Sequence, residues 1–283
     1  MRAPGDAATI AAMTTDYALA RSPGEYARLR AQARAWEPAT ARLFDHIGVP
    51  RGARCLDAGC GPGETMRLLA QRVGPQGHVL GLDVDAPLGT DAINALHAAG
   101  HRQTAFAPFD LTSDEPIPGG PFDVVFARLL LYHLPQRIDV LERLWEAVAP
   151  NGYLAIQDYD VRACEALPPL ETMDELRRIA HGAFEAAGCD VSVGARLPQL
   201  FARARIGTPD GTDVTGRLEP LKEAQRFLKS LHAGLLDRAI AEDLTTAEDA
   251  AKWRNALNQE AARFPDRPVL WPLMISAWKR KPV

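Results

Sequence analysis

Three glycines at every second position, Gly59, Gly61 and Gly63, follow a short apolar run that contains Asp57. A glycine has no Cβ, so the backbone can turn sharply there and a ligand can lie directly against it. The next residues, 64–73, carry apolar side chains at helical spacing. The pattern predicts a strand, a glycine turn and a helix, which is a geometry that cradles a nucleotide. The alternative is a tight strand-to-helix turn that binds nothing.

Two further acids follow predicted strands. Asp83 ends the apolar run 78–82, and Asp110 comes directly after the run 106–109. A carboxylate at the end of the second strand can accept hydrogen bonds from both hydroxyls of a ribose. An acid after the third strand is suited to the exocyclic amine of an adenine. Because ligands of open α/β sheets bind at the carboxyl ends of the strands, we expect both acids to share a site with the glycine turn.

With these residues the chain resembles the class I S-adenosylmethionine-dependent methyltransferases. In that family the turn has the form acid-x-Gly-x-Gly-x-Gly with the acid inside the strand, as at Asp57, whereas dinucleotide dehydrogenases space the third glycine further out. The resemblance implies S-adenosyl-L-methionine as cofactor and S-adenosyl-L-homocysteine as product. The positions that it assigns to the cofactor are Asp57, Ala58, Gly59, Gly61, Asp83, Val84, Asp110 and Leu111.

The segment before the glycine turn adds a second resemblance. Tyr17 and the pattern Glu25-x-x-Arg28-Leu29 are similar to the N-terminal helices of the ubiquinone/menaquinone-methyltransferase-like branch, particularly its small-molecule enzymes of bacterial secondary metabolism. Such helices cover the methionine end of the cofactor in that branch. The resemblance implies that Tyr17 touches this end, and packing of its ring is the alternative.

The residues after the fourth predicted strand are candidates for chemistry. In this family they face the sulfur of the cofactor and the acceptor. Arg128 could hold the methionine carboxylate with two hydrogen bonds, or could form an ordinary salt bridge. His133 could take a proton from a hydroxyl or amine, since an unperturbed imidazole has a pKa of about 6.5; a structural histidine is the alternative. Methyl transfer has a neutral leaving group, so a catalytic base is optional.

The acceptor pocket is predicted from residues that follow the fourth and fifth strands and from one residue within the last strand. Asp158 could orient an amine or hydroxyl, and Trp271 could form an aromatic wall for a flat substrate. Helix capping and core packing are the alternatives for these two residue types. No metal is predicted, because neither the histidines nor the cysteines have ligand spacing. The predicted acceptor contacts are Tyr132, His133, Asp158, Tyr159 and Trp271.

Strands and helices alternate from 54 to 158, which predicts an α/β fold with a parallel sheet. The resemblance implies a Rossmann-like sheet of seven strands, mostly parallel with an antiparallel last strand, and helices on both faces. Helical spacing without strand signals over 221–264 predicts an insertion before the last strand, where it would act as a lid. The predicted divisions are a disordered arm with cap helices (1–47), the Rossmann-like core (48–218), the helical lid (219–264) and the final strand (265–283).

The composition and charge of the chain limit the classes of partner that it is expected to bind. The chain has 283 residues and a net charge of −4, so no basic surface favours nucleic acid. The sequence has no apolar run of about 18 residues, as a membrane span would need. The four cysteines show no dense disulfide pattern and are expected to be reduced thiols. We therefore expect a cytoplasmic protein with a small-molecule partner and without nucleic-acid or membrane partners; a homodimer is left open.

The leading hypothesis is methyl transfer to a small molecule by in-line displacement in a lidded pocket, with aromatic compounds or natural-product intermediates as expected acceptors. A nicotinamide-dependent oxidoreductase on a related fold is the first alternative, against which the turn spacing and Asp57 count. The second is a descendant that binds the cofactor without methylating anything. Transfer of an isotopically labelled methyl group to an acceptor would distinguish an active enzyme from this second alternative.

Overall fold

A computed structural model describes residues 23–283, and Tyr17 lies outside them. The strands are β1 (Arg54–Ala58), β2 (His78–Asp83), β3 (Thr104–Pro108), β4 (Phe122–Arg128), β5 (Val148–Asp160), β6 (Glu165–Ala166), β7 (Gly211–Thr215), β8 (Leu218–Pro220), β9 (Pro268–Leu270) and β10 (Leu273–Arg280). The α-helices are α1 (Pro23–Ala35), α2 (Glu37–Ile47), α3 (Glu64–Val73), α4 (Ala86–Ala98), α5 (Arg137–Glu146), α6 (Glu171–Ala186), α7 (Leu197–Arg203), α8 (Leu221–Ala241) and α9 (Ala247–Arg263).

The main sheet confirms the predicted fold class. Its seven strands have the order β3-β2-β1-β4-β5-β10-β7. Strands β1 to β5 pair in parallel, while β10 is antiparallel to both β5 and β7. The chain runs outward from β1 to β3 and returns at β4, so the direction of winding reverses between β1 and β4. In open α/β sheets this reversal is where a crevice for ligands forms.

The central strands are apolar because both of their faces are covered by helices. Successive side chains point to opposite faces. On β1 and β4, Leu56 and Val125 belong to one buried cluster, whereas Cys55 and Val124 belong to another. All four are 0% exposed. This two-sided burial fixes the strand ends, and therefore the loops that carry the polar residues, on a rigid support.

The predicted last strand, 269–278, is interrupted. Strand β9 ends at Leu270 and β10 begins at Leu273, because Pro272 has no N–H to continue a ladder. The preceding Trp271 N–H instead donates to the Arg217 carbonyl at 2.9 Å. Strand β9 then pairs with β6 and β8 in a three-stranded sheet. The sequence did not predict this sheet, since runs of two or three residues show no readable period.

Helices α8 and α9 lie between β8 and β9, within the stretch predicted to be helical. They pack with α6 in a hydrophobic cluster of their own, which includes Leu176, Leu228, Trp253 and Leu257. The Trp253 indole also donates to the Thr172 carbonyl at 2.8 Å. We call α6, α8 and α9 the helical cover. The cover therefore has a cluster of its own, and it also packs on the sheet, because Phe184 of α6 and Leu235 of α8 belong to the cluster of the sheet.

Among residues 23–283, no helix is long and apolar enough to cross a membrane.

Candidate cofactor and acceptor site

A cavity of about 740 Å³ lies at the point where the winding of the sheet reverses. Its floor is formed by the glycine turn and by residues at or after the ends of β1, β2, β3 and β4. Helix α1 lines it from one side, and α6 and α8 of the helical cover line it from another. The cavity therefore joins three parts of the fold that are distant in sequence.

The glycine turn has the shape of a cradle. Gly59 and Gly61 have φ values of +71° and +47°, in the left-handed region that favours glycine. The Gly59 N–H donates to the Leu82 carbonyl at 2.8 Å, which ties the turn to β2. A Cβ on Gly59 would lie 3.0 Å from Leu130, whereas a Cβ on Gly61 would meet no atom within 4 Å. Gly61 lines the cavity, so its bare backbone leaves room for a ligand.

Asp83 holds this turn in place. Its Oδ2 accepts from the Gly61 N–H at 2.8 Å and its Oδ1 accepts from the Asp85 N–H at 2.9 Å. Asp85 in turn accepts from the Tyr26 hydroxyl at 2.8 Å, which links the turn to α1. Asp83 and its neighbour Val84 line the cavity, and Val84 is 37% exposed. The carboxylate at the end of β2 thus lies beside the glycine cradle, as the sequence predicted.

Asp110 lines the same cavity with an incompletely bonded carboxylate. Its Oδ1 accepts from the N–H and the hydroxyl of Thr112 at 2.8 and 2.7 Å. Its Oδ2 is buried and has no hydrogen-bond partner among residues 23–283. A buried polar atom without a partner is costly, so this oxygen suits a donor on a ligand. Leu111 lies beside it, buried and also lining the cavity.

Asp57 and Arg128 lie at the ends of the paired strands β1 and β4 and both line the cavity. Burial raises the pKa of Asp57 to about 7, although the Arg128 guanidinium acts in the opposite direction. Arg128 donates from one terminal nitrogen to the Thr40 hydroxyl at 2.9 Å. A guanidinium at this place supports the predicted contact with a ligand carboxylate. Ala58, between Asp57 and the turn, is fully buried and is not part of the lining.

His133 lines the cavity in a 3₁₀ turn after β4. Burial, and secondarily the Arg28 guanidinium, lowers its pKa to about 3. The Tyr132 ring packs edge-on against it with the centroids 4.0 Å apart, and Cys189 Sγ lies 3.8 Å from Nδ1. An imidazole with such a low pKa is uncharged at neutral pH and is a weak proton acceptor. This environment does not favour the base role.

Both tyrosines predicted as acceptor contacts line the cavity. The Tyr159 hydroxyl accepts hydrogen bonds from Trp36 Nε1 at 2.6 Å and from Gln32 Nε2 at 2.9 Å. Because Gln32 lies on α1, these bonds fasten α1 to the end of β5. Tyr132 belongs to the same turn as His133 and is 6% exposed.

The other two predicted acceptor contacts, Asp158 and Trp271, lie behind the wall of the cavity. Asp158 is 0% exposed and accepts from the backbone N–H groups of Tyr132 at 3.1 Å and Tyr159 at 2.9 Å. It therefore holds the turn that carries His133. Trp271 stacks on Phe227 with ring centroids 4.4 Å apart, so Phe227 reaches the cavity and Trp271 supports it. Long-range packing, which the sequence does not display, decides both placements.

Several lining residues were absent from the predicted set. Apart from Gln32, they are apolar or basic side chains on helices, and helical spacing alone does not distinguish a cavity wall from a core. The pattern containing Arg28 was the available signal for α1. No comparable signal marks α6 or α8. The additional lining residues on these three helices include Arg28, Gln32, Met173, Leu176, Arg177, Phe184, Phe227 and Leu231.

Charge divides the cavity into two halves. The acidic half consists of Asp57, Glu64, Asp83, Asp85 and Asp110, with Arg128 beside Asp57. What we call the basic half carries three guanidinium groups and two imidazoles, of which that of His133 is uncharged at neutral pH. Arg162 pairs with Asp160 and Arg177 with Asp174. The members of this half are Arg28, His133, Arg162, Arg177 and His181. Glu25 also lines the cavity and is bonded to Arg28 through two hydrogen bonds of 2.6 and 2.7 Å. The ends of β1 to β3 thus offer acceptors. Guanidinium donors and imidazoles come from the turns after β4 and β5 and from α1 and α6.

Comparison with known proteins gives the family. The profile of a methyltransferase domain matches residues 26–204, which include the glycine turn and the three acids. Trans-aconitate 2-methyltransferase of Rhizobium leguminosarum bv. trifolii is 40% identical over 117 residues, covering 41% of this chain and 42% of that protein. The enzyme of the same name from Paracidovorax citrulli is 28% identical over 71% of this chain and 88% of its own length. The match to the Rhizobium relative therefore spans about two fifths of its length.

Solved structures show the same fold. A candidate methyltransferase from Bacillus halodurans C-125 has a TM-score of 0.57 and 15% identity, with 86% of this chain and 99% of that chain covered. A phosphoethanolamine N-methyltransferase from Haemonchus contortus, solved with S-adenosylhomocysteine, has a TM-score of 0.50 and 17% identity, covering 87% of this chain and 53% of its own. Together with the matched profile and the cavity described above, this shows that the chain belongs to the methyltransferase domain family, with S-adenosyl-L-methionine as its cofactor.

Proposed function

We propose that the protein transfers a methyl group from S-adenosyl-L-methionine to a small organic acid. The observation that carries the proposal is one cavity lined by carboxylates at the ends of β1 to β3 and, elsewhere on its wall, by the guanidinium groups of Arg28, Arg162 and Arg177. Each of these groups pairs with one carboxylate and has five N–H donors in all. Carboxylates suit the hydroxyls and amine of an adenosyl group, and guanidinium groups suit a carboxylate. When bound, S-adenosyl-L-methionine supplies an electrophilic methyl group and leaves as a neutral thioether.

The acidic half would hold the cofactor. Asp83, beside the open backbone at Gly61, is placed to accept from ribose hydroxyls. The Oδ2 atom of Asp110, buried without a partner among the described residues, would accept from the adenine amine. Arg128 would pair with the methionine carboxylate. Each assignment uses a group that the structure places on the wall of the cavity.

The basic half would hold the acceptor. Arg162 and Arg177 line the cavity with side chains that are 63% and 43% exposed, and they pair with Asp160 and Asp174. Each guanidinium has five N–H donors, so both could still bind a carboxylate of the acceptor. The trans-aconitate relatives carry the name of a carboxylic acid, which supports the same acceptor class. Those relatives are not named as enzymes of ubiquinone or menaquinone synthesis. The apolar wall formed by Phe184, Phe227 and Leu231 fits a carbon skeleton, including the aromatic or natural-product skeletons expected from the sequence.

A carboxylate acceptor agrees with the environment of His133. A hydroxyl or amine acceptor must lose a proton during or after methyl transfer, whereas a carboxylate oxygen already carries its charge. An imidazole with a pKa of about 3 is a weak proton acceptor at neutral pH. Holding the carboxylate in line with the methyl group would then supply most of the rate enhancement.

The helical cover would act as a lid. Helices α6 and α8 contribute Met173, Leu176, Phe184 and Leu228 to the wall of the cavity, so their movement would open and close it. Closure would remove water from around the reacting groups and strengthen the electrostatic contacts inside.

The test uses S-adenosyl-L-methionine labelled in the methyl group and matched pairs of acceptors, each a carboxylic acid and its primary amide. We expect label in the acids and none in the amides. Mild alkali should release the label as methanol, since a methyl ester hydrolyses and an ether or N-methyl group does not. Label that resists alkali would refute the acceptor class. Bound S-adenosylhomocysteine without any labelled product would favour the non-methylating alternative.

A further inference from the structure

A row of three polar side chains crosses one face of the main sheet at the end of β4. In the strand register, Arg128 of β4 lies opposite Gln157 of β5, which lies opposite Ser276 of β10. Residues that lie opposite each other point to the same face of a sheet. The buried cluster on this face is otherwise apolar and contains Phe44 and Phe126. Polar groups in such a place need hydrogen-bond partners.

Thr40 of α2 joins Arg128 to this row. A guanidinium can only donate, so the Thr40 hydroxyl accepts from Arg128, at 2.9 Å. Thr40 Oγ1 lies 2.6 Å from Gln157 Oε1, and Gln157 Nε2 lies 2.9 Å from Ser276 Oγ. These lengths are typical of an O–H···O and an N–H···O hydrogen bond. The Thr40 hydroxyl therefore donates to Gln157, whose amide donates to Ser276, and the longer contact of Thr40 with the Trp36 carbonyl, 3.3 Å, is secondary.

The rest of the Arg128 guanidinium faces the cavity. Arg128 makes no other hydrogen bond and no ion pair with residues 23–283. None of its nitrogens is among the buried polar atoms that lack a partner in these residues, so the unbonded N–H groups are not enclosed by protein, and Arg128 lines the cavity. Burial lowers the pKa of Arg128, and the Asp57 carboxyl group acts in the opposite direction. A largely buried cation without an ion pair suits an anionic group of a ligand.

We infer that Thr40 is a positioning residue, itself fixed by Gln157, which holds the Arg128 guanidinium so that its remaining N–H groups meet the carboxylate of the cofactor. The inference rests on the proposed pairing of Arg128 with that carboxylate. Thr40 is 0% exposed and is not part of the cavity lining, so it touches neither cofactor nor acceptor. Its effect on the cofactor therefore passes through Arg128.

Two ligands isolate the contribution of the carboxylate. They are S-adenosylhomocysteine and its decarboxylated analogue, which keeps the adenosyl group, the sulfur and the amine. We expect the Kd for S-adenosylhomocysteine to rise by about 10- to 100-fold in Arg128→Met and by about 3- to 10-fold in Thr40→Val, because the first substitution removes the charged donor and the second only its support. The Kd for the analogue should rise in neither variant. Isothermal titration calorimetry measures both ligands.

Three further variants distinguish positioning from a general loss of packing. Thr40→Ser keeps the hydroxyl and should bind S-adenosylhomocysteine within about 2-fold of the wild type. Thr104→Val is the matched control, since Thr104 is also buried, donates to the His101 carbonyl at 2.7 Å and lies outside the cavity lining; its Kd should not change. In the double variant, Thr40→Val should add nothing to the effect of Arg128→Met, because both act on one contact.

The inference would be overturned by an unchanged Kd for S-adenosylhomocysteine in Thr40→Val, by an equal rise for both ligands, or by additive effects in the double variant. The acceptor class is decided separately. If no carboxylic acid were methylated while the two ligands responded as expected, the proposed acceptor would be wrong and the role of Thr40 would stand. If acids were methylated but Arg128→Met bound both ligands as the wild type does, the inference would fail and the acceptor class would stand.

Discussion

At the scale of single residues, two buried carboxyl groups stand out because their surroundings favour the uncharged form. Burial raises the pKa of both Asp57 and Asp158 to about 7. Asp158 accepts two backbone N–H groups, whereas Asp57 Oδ2 has no partner within residues 23–283. A carboxyl group that binds its proton more tightly in the folded chain makes the protein less stable as the pH rises.

We predict that Asp57→Asn is more stabilising at pH 8 than at pH 5. The folded pKa of about 7 lies above the ordinary aspartate value of 3.8. The destabilisation by the charged form therefore grows as the pH rises between these two values and is complete above pH 7. The change in unfolding free energy caused by the substitution should be about 2 to 3 kcal/mol more favourable at pH 8. Urea unfolding at both pH values measures it. The exposed Asp91→Asn is the control, and an equal effect of Asp57→Asn at both pH values would contradict the prediction.

Asp83 gives a second prediction at this scale. Asp83→Ala removes the acceptor for the Gly61 N–H and the proposed partner of the ribose. We expect the Kd for S-adenosylhomocysteine to rise by about 10- to 100-fold, as for loss of hydrogen bonds to a charged group. Isothermal titration calorimetry measures the change, with Asp91→Ala as the control on an exposed acid. Unaltered affinity would show that the adenosyl group binds elsewhere.

At the scale of elements, the turn between β1 and α3 requires glycine for two reasons. Its backbone is left-handed, and a ligand needs the space that a side chain would fill. Gly61 has φ +47° and open space where a Cβ would be. Gly52 has φ +78°, also with no atom within 4 Å of a Cβ, but it is not part of the cavity. Substitutions at the two glycines therefore distinguish two effects. One is the free energy of placing a non-glycine residue in the left-handed region, and the other is the loss of affinity when a side chain blocks the ligand.

We predict that Gly61→Ala and Gly52→Ala lower the unfolding free energy by similar amounts, about 1 to 2 kcal/mol. Only Gly61→Ala should weaken binding of S-adenosylhomocysteine, because its new methyl group lies in the cavity. Urea unfolding and calorimetry on the same two variants provide the comparison. If Gly52→Ala weakened binding as much as Gly61→Ala, the cradle would not be at this turn.

The helical cover is a second element with testable behaviour. Leu257 and Leu144 are both 0% exposed, but Leu257 belongs to the cluster of the cover and Leu144 to that of the sheet. Replacing either leucine with alanine should cost about 2 to 5 kcal/mol. We expect Leu257→Ala to speed amide hydrogen exchange in α8 and α9, and Leu144→Ala to speed it throughout the sheet. The same set of accelerated amides in both variants would mean that cover and sheet unfold as one unit.

At the scale of the whole molecule, one cavity depends on the sheet, α1 and the helical cover together. The Tyr159 hydroxyl joins α1 to β5, and the Tyr26 hydroxyl joins α1 to the loop after β2. A ligand that bridges these parts should stabilise all of them, because it binds the assembled chain and not the unfolded one.

We therefore predict that S-adenosylhomocysteine at about 100 times its Kd adds about 2.7 kcal/mol to the unfolding free energy. The melting temperature should rise by about 3 to 6 °C. NAD at the same concentration is the control for the oxidoreductase alternative, and we expect no shift. A shift with NAD equal to that with S-adenosylhomocysteine would contradict the cofactor assignment. Differential scanning fluorimetry measures both.

The sequence by itself determined the parts of the site that lie at the ends of predicted strands. The glycine turn, Asp83 and Asp110 each follow a short apolar strand, and parallel strands bring their carboxyl ends to one edge of the sheet. The alternation of strands and helices was enough to place these groups together. The split of the last strand at Pro272, and the small sheet beside it, could not be read because two- or three-residue strands have no period.

Only the tertiary structure decided which other residues line the cavity. Helices α6 and α8 supply much of the wall, and Asp158 and Trp271 lie behind it. Burial, and secondarily the Arg28 guanidinium, lowers the pKa of His133. These outcomes depend on contacts between segments tens of residues apart, such as the 56 residues that separate His133 from Cys189. A local pattern fixes which residues a helix turns inward, but not whether the inward face meets a core or a cavity, because that choice is made by the packing of distant elements.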